Sequence, residues 1–318
     1  MAVAARGKWK GRSFIETSSL SVEDIGTILD RARELKKLWQ GWRGSEFPHQ
    51  SLRGGTVVNL FFEPSTRTRS SFELAARRLG AYVLNFDPGN SSVTKGETLF
   101  DTAKNLEAMD PDLLILRHGS SGAAQRLAQV VKVPVVNAGD GFHEHPTQAL
   151  LDAMTIQESK GTCKGLQVLI VGDSAHSRVA RSNINVLKPL GARVAVCGPP
   201  SLMPPALDRL GVAVHYNLKA ALKEADVVMM LRIQTERIAA GNTQVPSGSE
   251  YARYWGLNAE TVAHLKKGAI IMHPGPYNEG VEISQEVATG PYSVILNQVH
   301  NGVLVRMALL DLIAGGKT

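Results

Sequence analysis

Short apolar runs alternate along the chain with segments of helical periodicity. The runs are Thr56–Phe62, Tyr82–Phe86, Asp112–Arg117 and Val133–Asn137, then Leu166–Val171, Arg193–Cys197, Val212–His215, Asp226–Leu231 and Ala269–Met272. Several are rich in Val, Ile and Leu without polar alternation, the pattern of parallel strands buried on both faces. Between them lie helical segments such as Thr66–Leu79, ended by Gly80, and Ser177–Leu190, ended by Gly191. Near the N-terminus Ser21 and Asp24 read as a capping box, followed by Val22, Ile25, Leu29, Ala32 and Leu35 at helical spacing. A last helical pattern covers Val299–Ile313. This alternation predicts an α/β protein in which parallel sheets are flanked by helices. The polar stretch Glu158–Gly165 divides the strands into two sets and marks the expected domain break.

Composition narrows the class. The chain has 318 residues, 43% hydrophobic and 20% charged, enough for about two globular domains. No stretch reaches the roughly 18 consecutive apolar residues of a membrane span, so no membrane partner is expected. Cys163 and Cys197 are the only cysteines, too few for a disulfide scaffold or a zinc-finger array, and free thiols suit a reducing, cytoplasmic setting. The net charge of +6 invites a nucleic-acid reading, but Arg6, Lys8, Lys10 and Arg12 all precede the first acidic residue, Glu16. Four of the excess charges therefore sit in a short tail, which reads as a solvated basic extension, and no nucleic-acid partner is expected.

Open α/β sheets bind ligands beyond the carboxyl ends of their strands, and that is where cations and hydrogen-bonding groups recur. The first run leads into Glu63-Pro64-Ser65-Thr66-Arg67-Thr68-Arg69, and the third ends in Arg117-His118. The fourth leads through Gly139-Asp140-Gly141 to His145-Pro146-Thr147-Gln148, and the fifth through Gly172-Asp173 to Arg178. The eighth runs into Arg232 and Gln234, and the last into His273-Pro274-Gly275-Pro276. Ser65-Thr66-Arg67-Thr68 lies where a strand turns into a helix, whose N-terminal N–H groups favour anions. Two arginines there make it an anion site in preference to a plain cap. His145 fits donation to a substrate oxygen better than metal ligation, because no acidic or cysteine cluster completes a ligand set. No metal or cofactor is expected: the chain has neither a P-loop nor a Gly-x-Gly-x-x-Gly fingerprint, and no Gly-x-Ser-x-Gly elbow. Lys95, in the polar loop Ser91–Thr98, reads on its own as a solvent-exposed lysine. The residues alone describe a two-domain α/β protein whose cationic ligand edges suit a small substrate bearing phosphate and carboxylate.

Taken together, the segments Phe61–Glu73, Lys95–Thr98, His145–Asp152, Leu231–Arg237 and His273–Pro276 resemble the aspartate/ornithine carbamoyltransferase family, in order and over nearly the whole chain. The His-Cys-Leu-Pro and Ser-Met-Gly motifs of ornithine enzymes are missing, so the resemblance is to the aspartate branch. It implies carbamoyl transfer from carbamoyl phosphate to L-aspartate, early in pyrimidine biosynthesis. It further implies a carbamoyl-phosphate domain at 1–158, joined by the returning C-terminal helix at 299–318, and an aspartate domain at 159–298. The expected assembly is a homotrimer with shared sites, in which Ser91 and Lys95 reach a neighbouring subunit. Relatives stand as free trimers, bind regulatory chains or pair with dihydroorotase-like proteins.

By the same resemblance, Ser65, Thr66, Arg67 and Thr68 hold the phosphate. Thr68, Arg117 and His145 contact the carbonyl oxygen, and Gln148 the carbamoyl nitrogen. Gly275 and Pro276 offer carbonyls to the carbamoyl amine. Arg178, Arg232 and Gln234, with Lys95, hold the aspartate carboxylates. Arg67, Thr68, Lys95, Arg117 and His145 are the catalytic set. One departure is Glu279, where related aspartate enzymes often carry Arg.

Overall fold

The computed structural model describes residues 7–86, 88, 96–205, 207–233 and 245–316. The chain divides into two compact units, Met1–Leu151 with His300–Thr318, and Asp152–Val299.

The first unit carries a four-stranded parallel sheet in the order β2-β1-β3-β4. Its strands are β1 (Thr56–Phe61), β2 (Tyr82–Phe86), β3 (Leu113–His118) and β4 (Val135–Asp140). The helices around them are α1 (Val22–Gly41), α2 (Thr66–Arg78), α3 (Leu99–Glu107) and α4 (Ala123–Val130). Then α5 (Pro146–Lys160) carries the chain onward, the division between units falling within it at Leu151/Asp152. Val58, Leu60, Leu114, Leu116 and Val135 pack with Ala103, Leu106, Ala124 and Leu127 of α3 and α4. Removing each large apolar side chain from water contributes roughly 1.5–3 kcal/mol. The continuous apolar runs β1 and β3 are thus the central strands, whereas edge strand β2 leaves Tyr82 71% and Leu84 44% exposed.

The second unit carries a five-stranded parallel sheet in the order β7-β6-β5-β8-β9. Its strands are β5 (Gln167–Val171), β6 (Arg193–Cys197), β7 (Ala213–His215), β8 (Val227–Met230) and β9 (Ile270–Met272). They are joined by α6 (Arg178–Leu187), α7 (Leu218–Leu222) and α8 (Gly248–Trp255), with shorter turns between. Leu169, Val171, Val228, Met230 and Ile271 form a core with Leu218 and Leu222 of α7 and with Ile283 and Val287.

The final helix α9 (Ile295–Ala314) begins in the second unit and ends in the first. Its start lies four residues ahead of the expected Val299, because Leu296 and Val299 are 81% and 51% exposed and add nothing to a buried stripe. From Val303 to Ile313 every side chain is buried.

The capping box on α1 forms as expected, with the Ser21 hydroxyl accepting from Asp24 N–H and the Asp24 carboxylate accepting from Ser21 N–H. Val22 departs from the expected stripe and is 53% exposed; Asp24 is buried instead, paired with Lys8 at 2.7 Å.

Candidate functional site

Acidic residues in the first turn of a helix complement its dipole. Glu23 and Asp24 do so in α1, Asp101 in α3 and Glu250 in α8. Two helices instead carry an arginine within their first two residues. The first turn of α2 holds Arg67 and no acidic residue, and α6 opens on Arg178, again without one. Arginines placed against the positive end of a helix cost stability unless an anion comes to rest there. Ser65, the N-cap of α2, makes no side-chain cap hydrogen bond, so its hydroxyl is not committed to the helix.

In the first unit the expected residues gather at the carboxyl ends of three neighbouring strands. The ladder pairs Phe61 of β1 with Arg117 of β3, and His118 of β3 with Asp140 of β4. This register sets the Glu63–Thr68 turn, Arg117 and the Asp140–Gln148 segment side by side. Thr68 is buried, while Thr66 and Arg67 are exposed. Arg117 is buried and held from two sides: Nη2 donates to Glu63 Oε1 at 2.9 Å and Nη1 to the Ala138 carbonyl at 3.1 Å. His118 lies against Phe62 with ring centroids 5.4 Å apart, and its Nδ1 accepts the Ser120 N–H at 2.9 Å. Burial pushes its pKa below the ordinary histidine value, so the ring favours its neutral form.

The turn that carries His145 is built around the fully buried Asp140. That carboxylate accepts from the N–H groups of Gly122 (2.7 Å) and Glu144 (3.2 Å) and from Asn137 Nδ2 (2.8 Å). Gly141 sits at φ +46°, and a Cβ there would stand 2.4 Å from Ser121 N. Only glycine fits. Glu144 accepts the Thr17 hydroxyl with both carboxylate oxygens, at 2.9 and 2.7 Å. His145 and Gln148 are buried just before and within the first turn of α5.

In the second unit Arg178, Arg232 and the His273–Pro276 turn follow β5, β8 and β9, which are consecutive neighbours in the sheet. Arg178 is buried behind the Ser177 cap, whose hydroxyl accepts the Ala180 N–H. Buried Asp173 accepts the His176 amide and ring at 3.0 Å and closes the turn that leads to Arg178. Burial raises the Asp173 carboxyl above the usual range, although these N–H donors and the nearby His176 act in the opposite direction. The Gly275–Pro276 bond is cis, and the Gly275 N–H donates to His273 Nδ1 at 2.7 Å. A buried network continues from there: His273 N–H donates to Gln298 Oε1 (2.9 Å), Gln298 Nε2 to Asp152 (2.7 Å), and Asn183 Nδ2 of α6 to the other Asp152 oxygen (2.9 Å).

Ser91, Lys95 and Gln234 lie outside the described residues. Three carboxylates escaped the sequence reading: Glu63, Asp140 and Glu282. Glu282 left only a faint signal, a charge between Val281 and Ile283. Glu63 left another, an acid beside a run of cations.

Comparison with known proteins identifies the family. Residues 12–158 match the carbamoyl-P binding domain of aspartate/ornithine carbamoyltransferase, and residues 164–313 match the Asp/Orn binding domain. The chain is 55% identical over 303 residues to the aspartate carbamoyltransferase catalytic subunit of Anaeromyxobacter dehalogenans, covering 95% of each chain. It is also 55% identical over 300 residues to that of Sinorhizobium medicae, covering 94% of each. A solved aspartate transcarbamoylase of Trypanosoma cruzi, in complex with carbamoyl phosphate and aspartate, superposes with a TM-score of 0.87 at 32% identity, over 97% of this chain and 98% of that one. Ornithine carbamoyltransferase from Pyrococcus furiosus superposes almost as well, with a TM-score of 0.84 at 31% identity, over 97% of this chain and 99% of that one. Backbone shape therefore does not separate the two branches; the sequence does. The two family matches together span nearly the whole chain, which belongs to the aspartate/ornithine carbamoyltransferase family.

Proposed function

We propose that this protein transfers the carbamoyl group of carbamoyl phosphate to the α-amino group of L-aspartate, giving N-carbamoyl-L-aspartate and phosphate. The observation that carries the reading is 55% identity, across 95% of the chain, to aspartate carbamoyltransferase catalytic subunits. The first unit is read as the carbamoyl-phosphate domain and the second as the aspartate domain.

The phosphate rests on the α2 N-terminus with Ser65, Thr66, Arg67 and Thr68, where free N–H groups and a guanidinium meet its charge. Thr68, Arg117 and His145 donate to the carbonyl oxygen, and Gln148 meets the carbamoyl nitrogen. The aspartate amine attacks the carbonyl carbon. A C–N bond forms, charge grows on the carbonyl oxygen against fixed donors, and the C–O bond to phosphate breaks. The departing phosphate accepts the amine proton, so no side-chain base is required. Two arginines, Arg178 and Arg232, answer two carboxylates, which favours a dicarboxylic acceptor over ornithine. Ser91, Lys95 and Gln234 complete the site, the first two from a neighbouring subunit. The exposed apolar side chains of edge strand β2, Tyr82 at 71% and Leu84 at 44%, support contact with another copy of the chain, and the trimeric count rests on the family resemblance. Both thiols are free and buried, in keeping with a cytoplasmic enzyme.

The test is a carbamoyl-transfer assay on the purified chain, with L-aspartate and L-ornithine in parallel. Product with aspartate alone is expected. Product with ornithine overturns the acceptor assignment. Absence of product with either, when a dihydroorotase-like protein is also supplied, overturns the activity.

A further inference from the structure

The segment that carries Arg232 leaves the sheet without a strand partner. The β5–β8 ladder ends at Val171 and Met230, and the Leu231 N–H is the last to find a strand carbonyl, that of Val171 at 2.7 Å. Two residues later the Ile233 N–H points into the interior and donates to Glu282 Oε1 at 2.7 Å. The same oxygen accepts Asn278 Nδ2 at 2.7 Å, and Glu282 Oε2 accepts the Asn278 N–H at 2.6 Å. Glu282 itself is fully buried. Its carbonyl accepts the Leu257 N–H at 2.9 Å, and the next residue, Ile283, is anchored in the core. Ile233 is fixed too, packed against Leu202 and Tyr251.

One carboxylate therefore joins two stretches of backbone. The residue before the first donor is Arg232, and Asn278 follows Gly275-Pro276 by two positions. These partners are all N–H donors, so the site requires an acceptor at both oxygens. A glutamine would present its own amide hydrogens to one of these donors and leave that donor buried and unsatisfied. Burial raises the pKa of the Glu282 carboxyl, while the Ile233 and Asn278 donors favour its ionised form.

We infer that Glu282 is a positioning residue for the amino-acid acceptor: its carboxylate sets the Arg232 segment against the turn after Pro276. The inference rests on the site reading above, in which Arg232 grips an aspartate carboxylate. It assigns acceptor recognition to a side chain that touches no substrate. A scaffold residue of no functional consequence would, when replaced, lower stability and leave the Michaelis constants alone.

The experiment uses the full-length chain with carbamoyl phosphate saturating and L-aspartate varied. Glu282→Gln, Glu282→Asp, Asn278→Ala and Arg232→Ala are compared with the unaltered protein, alongside the Kd for inorganic phosphate and thermal melts. Glu282→Gln is expected to raise the KM for L-aspartate roughly 5- to 100-fold, the cost of a stranded buried donor. The fall in kcat stays within about threefold, the signature of lost acceptor binding with the chemical step preserved. Phosphate affinity is unchanged. Glu282→Asp, which keeps the charge, falls between the two. Asn278→Ala removes a single donor, reads the same split at smaller cost, and decides the matter should Glu282→Gln not fold. An unchanged aspartate KM in the folded variants, with Arg232→Ala raising it, overturns the role of Glu282 alone. An unchanged KM in Arg232→Ala overturns the site reading and this inference with it.

Discussion

The helix that closes the first unit is tied down by one buried charge. Asp311 of α9 has 1% of its side chain exposed, and its Oδ2 accepts Arg31 Nε of α1 at 2.6 Å. His49 Nε2 lies 2.8 Å from its other oxygen. Burial alone would raise the Asp311 carboxyl; hydrogen bonds from His49 and Ser51 and the charge of Arg31 more than offset it and hold the group well below the carboxylate range. Asp311→Asn keeps the shape and removes the charge. Breaking a buried pair costs about 3–5 kcal/mol. Arg31 is 13% exposed and keeps Glu34 at 2.7 Å, so its charge is not stranded. That places the loss at the low end of this range, about 3 kcal/mol, or a fall of roughly 6–12 °C in Tm for a domain of this size. Because the folded carboxyl gives up its proton more readily than the unfolded one, the contribution is whole above about pH 4 and fades as the pH drops further. Thermal unfolding followed by circular dichroism, with transfer assays at 25 °C, reads both sides of the claim. Activity per folded molecule should be unaltered. A fall of less than about 2 °C at pH 7.5, where the full loss applies, would refute the reasoning.

Other expectations follow from the first unit. Arg67→Ala should lower kcat/KM by roughly 100- to 1000-fold, as expected when a charged donor to the reacting group is lost, with no loss of thermal stability; a loss below tenfold would remove Arg67 from the phosphate site. Mixing Arg67→Ala with Lys95→Ala chains should restore part of the activity if sites are shared between subunits, and no recovery in mixed trimers would argue that each chain is self-sufficient. Gly141→Ala should cost about 1–3 kcal/mol through a φ that alanine resists and displace His145, so that kcat falls along with stability; wild-type kinetics in this variant would show that the turn tolerates a Cβ.

The strands were legible because both sheets are parallel and covered on both faces, which leaves β1, β3, β5 and β8 written as nearly unbroken apolar runs. The ligand edge was legible for a related reason. Polar groups that follow a buried run directly must emerge at the end of a strand, as Arg117 and Arg232 do, and His145 and Arg178 stand at the helix starts that come next. What the pattern hid is long-range. Val22 fits the helical stripe of α1 by spacing, yet Asp24 takes the interior because Lys8 arrives from the preceding segment to meet it. The start of α9 was obscured because Leu296 is apolar and exposed. Glu63 and Glu282 were passed over because a carboxylate is worth notice only once its donors are known. The Arg117 guanidinium and the Ile233 and Asn278 amides stand 54, 49 and 4 residues away in the chain.

The path of the chain has a consequence for its birth on the ribosome. It leaves the first unit within α5 and returns within α9, so that unit stays open until α9 has been made. Val303–Ile313, buried throughout, is the missing wall. Asp152–Val299 is complete in sequence before the first unit is, and a chain cut short before Val303 would have the second unit whole and the first with an apolar face uncovered. Such a product is a substrate for chaperones and proteases, which gives the cell a means of discarding chains that end early.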